Sequence, residues 1–477
     1  MLLSNIKSFS LDAFYYGASS IISRLVGFLL LPIFTRYLSP EDYGIMTLLG
    51  FYTLFYTPLS HLGLQGAMFR YVGFSKTINE ENSYLKTAII STILISSFFS
   101  IIAYLFIDTI NYILFNSNKY SQLLFLTVLG SFFTSIAQMF YSYLRVKRKV
   151  KLIFRLSIVN LFISVSLNLL LIVYFQLGLN GAIYSILISA FISFILVCIF
   201  VKVGWDFRIN KVKLIQMSKY GLPNVPAYLQ AIIMVLFGQY FLGKFFSAEK
   251  LGLYAVAWKF CLPLQLIMGI LNNAWKAYKF DLFRNNENNN KMVFTYFPMI
   301  MIFIYCIIFL IIALWGGEIL MLITEESYHV SAKYVPILSL IPLFNAFYLV
   351  FGTYVAFGKS QKLQPFIATL GLIFTIIFSI ILIPKYSIYG VGFSTAIGWL
   401  VMSVCAYFYG QSLFKIDFKL LNLIPFIISI IISGIILNYF FDNFLYKLTI
   451  LLFNIFLFAT LFGGVKKISR LLLNDKT

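Results

Sequence analysis

Three cations stand where a hydrocarbon environment makes them expensive: Arg24, Arg155 and Lys259 all fall inside long apolar runs. A central Arg or Lys costs about 2.5 to 3.5 kcal/mol on an insertion scale, so each needs a partner, an escape route or a function. Arg24 lies about 12 residues into its run, roughly 18 Å deep at the helical rise, near the midplane and too deep to snorkel comfortably. Arg155 is about three residues inside its run and follows a basic stretch, where snorkelling competes with lining a cavity. Lys259 is intermediate, about 10 Å from one face, and both roles are open to it. All 16 acids lie in loops or at run edges, Asp12 and Glu318 coming closest to the core. Arg24 therefore has no carboxylate at its own depth, and either backbone carbonyls or an anionic ligand such as phosphate must complete it. A diphosphate suits such a site, because Arg offers bidentate and Lys point-charge donors to its oxygens. Proton relays and cation sites instead place carboxylates inside the membrane. Arg36 and Arg70, at the mouths of the first two runs, either line the route or anchor to lipid headgroups.

Other chemistry is thin. The four cysteines Cys198, Cys261, Cys306 and Cys405 lie within apolar runs without metal-ligand spacing, and His61 and His329 are too few and too far apart to form a metal site. No metal, cofactor or catalytic residue is expected. In "YGLPNVPAYLQ", Pro223 and Pro226 remove backbone donors near the start of the seventh run, predicting a kink that is either static or a gate. The 32 tyrosines belong first at membrane interfaces.

The elements that must position these residues follow from composition. Hydrophobic residues make up 61% of the 477 positions and charged ones 11%, with a mean hydropathy of +0.92, far from a soluble balance of about 25% charged. Apolar runs occur near 12–34, 43–65, 87–107, 122–144, 152–175, 181–201, 220–243, 252–275, 292–315, 334–357, 363–383, 389–409, 421–440 and 446–462. Most match a hydrocarbon core of about 30 Å at the rise of a helix. An all-α polytopic membrane protein of about fourteen helices is expected, twelve if the last runs fail to span. The first run holds Arg24 and leads directly into a second, unlike a cleavable signal peptide. The longest hydrophilic connection, Gly66 to Lys86, leaves no room for a soluble catalytic or nucleotide-binding domain.

The net charge of +20 is explained by its distribution. With the N-terminus in the cytoplasm, 26 of the 36 Lys and Arg fall in cytoplasmic segments, 7 on the outer side and 3 inside runs. That bias orients the chain by the positive-inside rule, with both termini cytoplasmic, and assigns the basic stretches to anionic lipid rather than nucleic acid.

A repeat divides the chain. "SPEDYGIM" at 39–46 and "SAEKLGLY" at 247–254 share Ser, Glu and Gly at an offset of 208, and "LNGAIYS" at 179–185 echoes "IYGVGFS" at 388–394 at an offset of 209. The Tyr16-Gly17 and Tyr220-Gly221 pairs lie 204 apart. Six helices per period is an even number, so the copies run in parallel and are related by a pseudo-two-fold. The expected organisation is a six-helix bundle at 1–201, a basic cytoplasmic linker at 202–219, a second bundle at 220–410, and two additional helices with a basic tail at 411–477. Two such bundles rocking about a central site are the usual architecture of alternating access.

"SRLVGFLLLPIFTRYLSPEDYG", residues 23–44, together with "YGLPNVPAYLQ" and the duplicated helices, resembles the Wzx-type polysaccharide (O-antigen) flippases of the multidrug/oligosaccharidyl-lipid/polysaccharide exporter superfamily, whose fold is MATE/MurJ-like. The resemblance implies translocation of an undecaprenyl-diphosphate-linked oligosaccharide from the cytoplasmic to the outer leaflet of the bacterial inner membrane. It also implies partners: the lipid-linked oligosaccharide, anionic membrane lipids, a polysaccharide polymerase and a chain-length regulator. "SRLVGF" is similar as well to the opening of the lipid II flippases, whose Arg at this position lines a cationic cavity, and Arg24 matches it. Their further Arg is absent here, Leu29, Leu30 and Leu31 following Phe28, which departs from a strict peptidoglycan-precursor role. Two other readings are an ion-coupled small-molecule antiporter of the same superfamily and a membrane-embedded transferase. The transferase would need a sizeable loop or a surface His or carboxylate cluster.

Overall fold

The computed structural model describes residues 18, 22, 26–201, 209–284, 290–357, 363–413, 420–437 and 443–461. Arg24 lies outside them, as do Tyr16-Gly17 and the first half of the basic linker. The chain forms two compact units, Met1–Ala255 and Val256–Thr477, and among the described residues the regular structure is helical.

In the first unit, α1 (Leu31–Tyr37) follows a turn at Leu30, where Pro32 supplies no N–H. Ser39 then caps α2 (Pro40–His61), its side chain accepting from the Asp42 amide while the Asp42 carboxylate accepts from the Ser39 amide. Left-handed Leu62 and Gly63 turn the chain into α3 (Leu64–Phe74). Thr77 caps α4 (Ile78–Leu105), with Glu80 and Glu81 in its first turn. The segment 66–86, expected to be a hydrophilic connection, is therefore mostly helix. Short α5 (Ile107–Phe115) completes that climb, and α6 (Ser121–Val146), α7 (Val150–Asn168, extended by a π turn to Tyr174) and α8 (Gly178–Phe200) follow.

The linker is also partly helical. Asn210 caps α9 (Lys211–Gly221) by accepting from the Lys213 amide. A 3-10 turn at Leu222–Asn224 carries the chain into α10 (Val225–Phe245) and then α11 (Ala248–Lys259).

The second unit contains α12 (Leu262–Arg284), α13 (Asn290–Ile323) and, after a 3-10 stretch at Glu326–Tyr334, α14 (Val335–Phe357). It continues with α15 (Leu363–Tyr386), α16 (Ile388–Leu413), α17 (Leu420–Ile432, ending in a π turn) and α18 (Phe444–Leu461).

Among the described residues ten helices are long and apolar enough to cross a bilayer, and the pair Ala248–Lys259 and Leu262–Asn272, bent by 46°, makes an eleventh. The shorter apolar helices Val26–Tyr37 and Asn422–Ile436, with α2, occupy the remaining apolar runs. Packing is inverted relative to a soluble bundle. On α4 the uncovered side chains include Leu94, Phe98, Ile101 and Leu105, at helical spacing, whereas Ser91, Thr92 and Ser96 are buried. Large apolar groups face lipid, and small residues let helices approach.

Two of the three repeat echoes are built into the backbone. Gly178 and Ser387, 209 apart, have φ of 53° and 51° in the hairpins before α8 and α16. Gly181 and Gly390 then press on the carbonyls of the preceding helices: a Cβ would come 2.9 Å from the Leu171 oxygen and 2.5 Å from that of Leu382.

Candidate functional site

The second pair of echoes meets face to face. In the first unit a Cβ on Gly44 would overlap the Ala248 carbonyl oxygen, and one on Gly252 would overlap the Pro40 oxygen. Pro40 and Ala248, like Gly44 and Gly252, are 208 apart, so each motif copy makes toward the other the contact it receives. This is the self-complementary contact expected on a two-fold axis. The caps correspond too: Ser247 accepts from the Lys250 amide at 3.2 Å, as Ser39 accepts from Asp42 at 3.1 Å. Tyr120, at the head of α6, has its phenol pKa raised by burial first and by the charges of Glu41 and Asp42 second.

A second backbone crossing lies at the other end of α2. A Cβ on Gly221 would stand 2.6 Å from the Gly63 oxygen. Around it α9 is clasped to α3 and α4: the Tyr84 hydroxyl donates to the Gln216 side chain at 2.8 Å, Lys213 donates to the Glu80 carbonyl at 3.0 Å, and Tyr71 stacks on Tyr84 at 5.3 Å. His61, buried at the last turn of α2, has neither ring nitrogen hydrogen-bonded.

Between these ends, interhelical hydrogen bonds tie α2 to its neighbours. The Tyr56 hydroxyl donates to the Ser96 carbonyl at 2.8 Å and lies 2.7 Å from the Ser100 hydroxyl, and Thr53 meets Ser131 at 2.9 Å. Asn160 donates to Ser193 at 2.8 Å and to the Tyr141 hydroxyl at 3.2 Å, joining α7, α8 and α6. Near the Gly44–Gly252 crossing sits an apolar chamber of about 500 Å³.

The residues singled out in sequence are spread through the fold. Arg36 is exposed in the last turn of α1. Arg70 is exposed on α3, its guanidinium 4.7 Å above the Tyr220 ring, a cation–π contact that ties α3 to α9. Arg155 is exposed on α7, two turns beyond the Lys147–Glu81 ion pair. Lys259 is half-buried at the bend between α11 and α12. Pro223 sits in the 3-10 turn and Pro226 in the first turn of α10, both exposed. Among the described residues no three His, Cys, Asp or Glu gather as a metal site.

One buried charge escaped notice in the sequence. Lys447, at the edge of the last run, is 3% exposed and ion-paired with Glu318, joining α18 to α13 in the second unit. Asn454 of α18 also holds Ser429 at 2.9 Å and Ser433 at 3.0 Å, and Phe458 stacks on Phe303 at 4.1 Å.

A duplicated helical fold with many lipid-facing spans defines a class, the polytopic membrane proteins of the MATE/MurJ type, and comparison with solved structures agrees. The chain is similar to the lipid II flippase MurJ in an inward closed conformation, at 18% identity over 96% of this chain and 98% of that one, with a TM-score of 0.71. It is similar to an inward-facing multidrug resistance MATE transporter of the MOP superfamily, at 14% identity over 84% and 94% of the two chains, with a TM-score of 0.67. A MOP-superfamily transporter from Pyrococcus furiosus follows at 15% identity, with 84% and 94% covered and a TM-score of 0.60. No curated protein sequence matches the chain. The family model described as polysaccharide biosynthesis protein matches residues 33–331, more than half of the chain, and the chain belongs to that family.

Proposed function

We propose that the protein is a flippase that carries undecaprenyl-diphosphate-linked oligosaccharide repeat units from the cytoplasmic to the outer leaflet of the bacterial inner membrane, for O-antigen or another surface polysaccharide. The observation that carries this is the reciprocal Gly44–Gly252 crossing in a chain of the polysaccharide biosynthesis family. A two-fold contact of backbone on backbone is well suited to opening and closing one end of a path. The positive-inside bias assigns that end to the outer side. The neighbours in fold include one protein described as a lipid II flippase and others described as multidrug transporters. Family membership and the deep cation favour the lipid-linked anion over the drug.

In this mechanism bundles 1–201 and 220–410 alternate about a cationic cavity. Arg24 engages the diphosphate near the midplane, Arg155, Lys259, Arg36 and Arg70 lie along the route, and Pro223 and Pro226 give the start of α10 its freedom to hinge. Arg24→Ala abolishes surface glycan while leaving protein abundance near normal, and Arg24→Lys retains part of the activity. The assay is surface glycan staining with quantitation of lipid-linked repeat units on the cytoplasmic leaflet. Full complementation by the alanine variant refutes the central phosphate site.

A further inference from the structure

The half-open chamber near the outer crossing is lined by Phe51, Tyr52 and Phe55 of α2, by Ile110, Ile113 and Leu114 of α5, and by Ile233, Leu236, Phe237 and Tyr240 of α10. Five of these ten residues are aromatic and none is charged. Its volume of about 500 Å³ is within the range of about 300 to 1,000 Å³ that holds small ligands. The Tyr240 hydroxyl is already engaged, donating to the Ile113 carbonyl at 3.1 Å. A charge stands at the rim: exposed Lys244, in the last turn of α10, with Nζ 3.5 Å from the Tyr240 hydroxyl and 5.8 Å from its ring centroid. Apolar walls that end at an ammonium suit a ligand with a long hydrocarbon chain and a small anionic head.

We propose that this chamber is a docking site for the isoprenoid chain of a polyprenyl phosphate or diphosphate, with the phosphate at Lys244. Three features commit it to that occupant. The chamber is a single cavity, whereas a diacyl phospholipid would leave one chain outside. Its ring-lined walls pack against the methyl branches and double bonds of isoprene units. Lys244 is a compact point charge, which matches a terminal phosphate. The inference rests on the flippase function proposed above and deepens it. On α2 the lining residues Phe51 to Phe55 sit past the helix midpoint, and on α10 the chamber reaches the outer end at Lys244, beside Gly243, whose Cβ would stand 3.5 Å from Leu251 and 3.6 Å from Leu48. The site thus serves the carrier once its headgroup has crossed, before it leaves for the outer leaflet.

The test uses the full-length protein in nanodiscs, with a polyprenyl phosphate bearing a diazirine in its isoprenoid chain. Photolysis followed by peptide mass spectrometry is expected to place the label within 51–55, 110–114 and 233–240. Unlabelled polyprenyl phosphate competes, and dioleoyl phosphatidylglycerol does not. Leu236→Trp, which fills the chamber, and Lys244→Gln each lower labelling about tenfold, the latter the scale of one charge-assisted hydrogen bond. Labelling by the same probe without its phosphate is indifferent to Lys244→Gln. Label that maps elsewhere on the wild-type protein, or equal competition by phosphatidylglycerol, overturns the proposal and needs no variant to fold. If the label maps elsewhere while cells still display glycan, the docking site falls and the flippase stands. Labelling at the chamber in a protein whose loss causes no build-up of lipid-linked repeat units overturns the flippase function instead.

Discussion

A single methyl group added at Gly44 should act as a wedge in the Gly44–Gly252 crossing. The Cβ of Gly44→Ala overlaps the Ala248 carbonyl oxygen, so α2 and α11 must part by roughly 1.5 Å before the methyl reaches van der Waals distance. Overpacking a close contact of this kind costs about 1 to 3 kcal/mol. The cost falls only on the state in which the crossing is closed, so the closed-to-open equilibrium shifts by about 5- to 150-fold. Gly252→Ala meets the Pro40 oxygen in the same way and has the same sign. The double variant adds little, since either methyl already parts the helices. Spin labels at positions 41 and 249, both exposed and 208 apart, with Cys198, Cys261, Cys306 and Cys405 replaced, report the separation by double electron–electron resonance. Either variant is expected to move the distance distribution to longer values and to lower surface glycan while the protein stays abundant. A Gly44→Ala protein with the wild-type distribution and wild-type glycan refutes the crossing as a closure.

Further outcomes follow from the buried polar contacts. Glu318→Gln leaves the buried Lys447 ammonium without its counter-charge, a break worth about 3 to 5 kcal/mol for a fully buried pair and less here because the Glu318 side chain is 42% exposed. Lys447→Met removes that charge and keeps the packing, so thermal unfolding in detergent should rank wild type and Lys447→Met above Glu318→Gln. Tyr56→Phe loses the hydroxyl that reaches Ser96 and Ser100 and costs about 0.6 kcal/mol, the average for such bonds in a membrane. A small fall in Tm with unchanged glycan display is expected. Pro223→Ala with Pro226→Ala restores two backbone donors, and slower accumulation of surface glycan at unchanged Tm is the expected sign of a hinge.

How far the fold was legible depends on the length scale of each signal. The fourteen apolar runs are all helical where described, because twenty consecutive apolar residues leave a backbone in lipid no alternative. The 11-residue α3 and the α9 half of the basic linker were missed. A hydropathy window averages over short helices, and their local signals, the left-handed turn before Leu64 and the cap Asn210, rest on one or two residues. Lys447 stands at the edge of the last apolar run, a place that in sequence does not separate it from an interfacial cation. Its burial is fixed by Glu318, far away in sequence, and no local pattern carries that. Glu81 is another case, a loop acid in sequence that is 8% exposed and paired with Lys147.

The two-fold crossing was half legible, and the missing half has a physical reason. The shared Ser, Glu and Gly at an offset of 208 pointed to duplication but not to contact. On a two-fold axis a residue meets the surroundings of its own counterpart, so a charge would face its like, while a small residue against backbone complements itself. A duplicated chain that closes on its own axis therefore favours glycine there and allows charge differences beside it, as at Asp42 and Lys250, which occupy equivalent positions with opposite sign. Arg24 came to notice because charge in hydrocarbon is costly. Gly44 and Gly252 lack any such mark, and their role follows only from two repeat copies being brought within one contact.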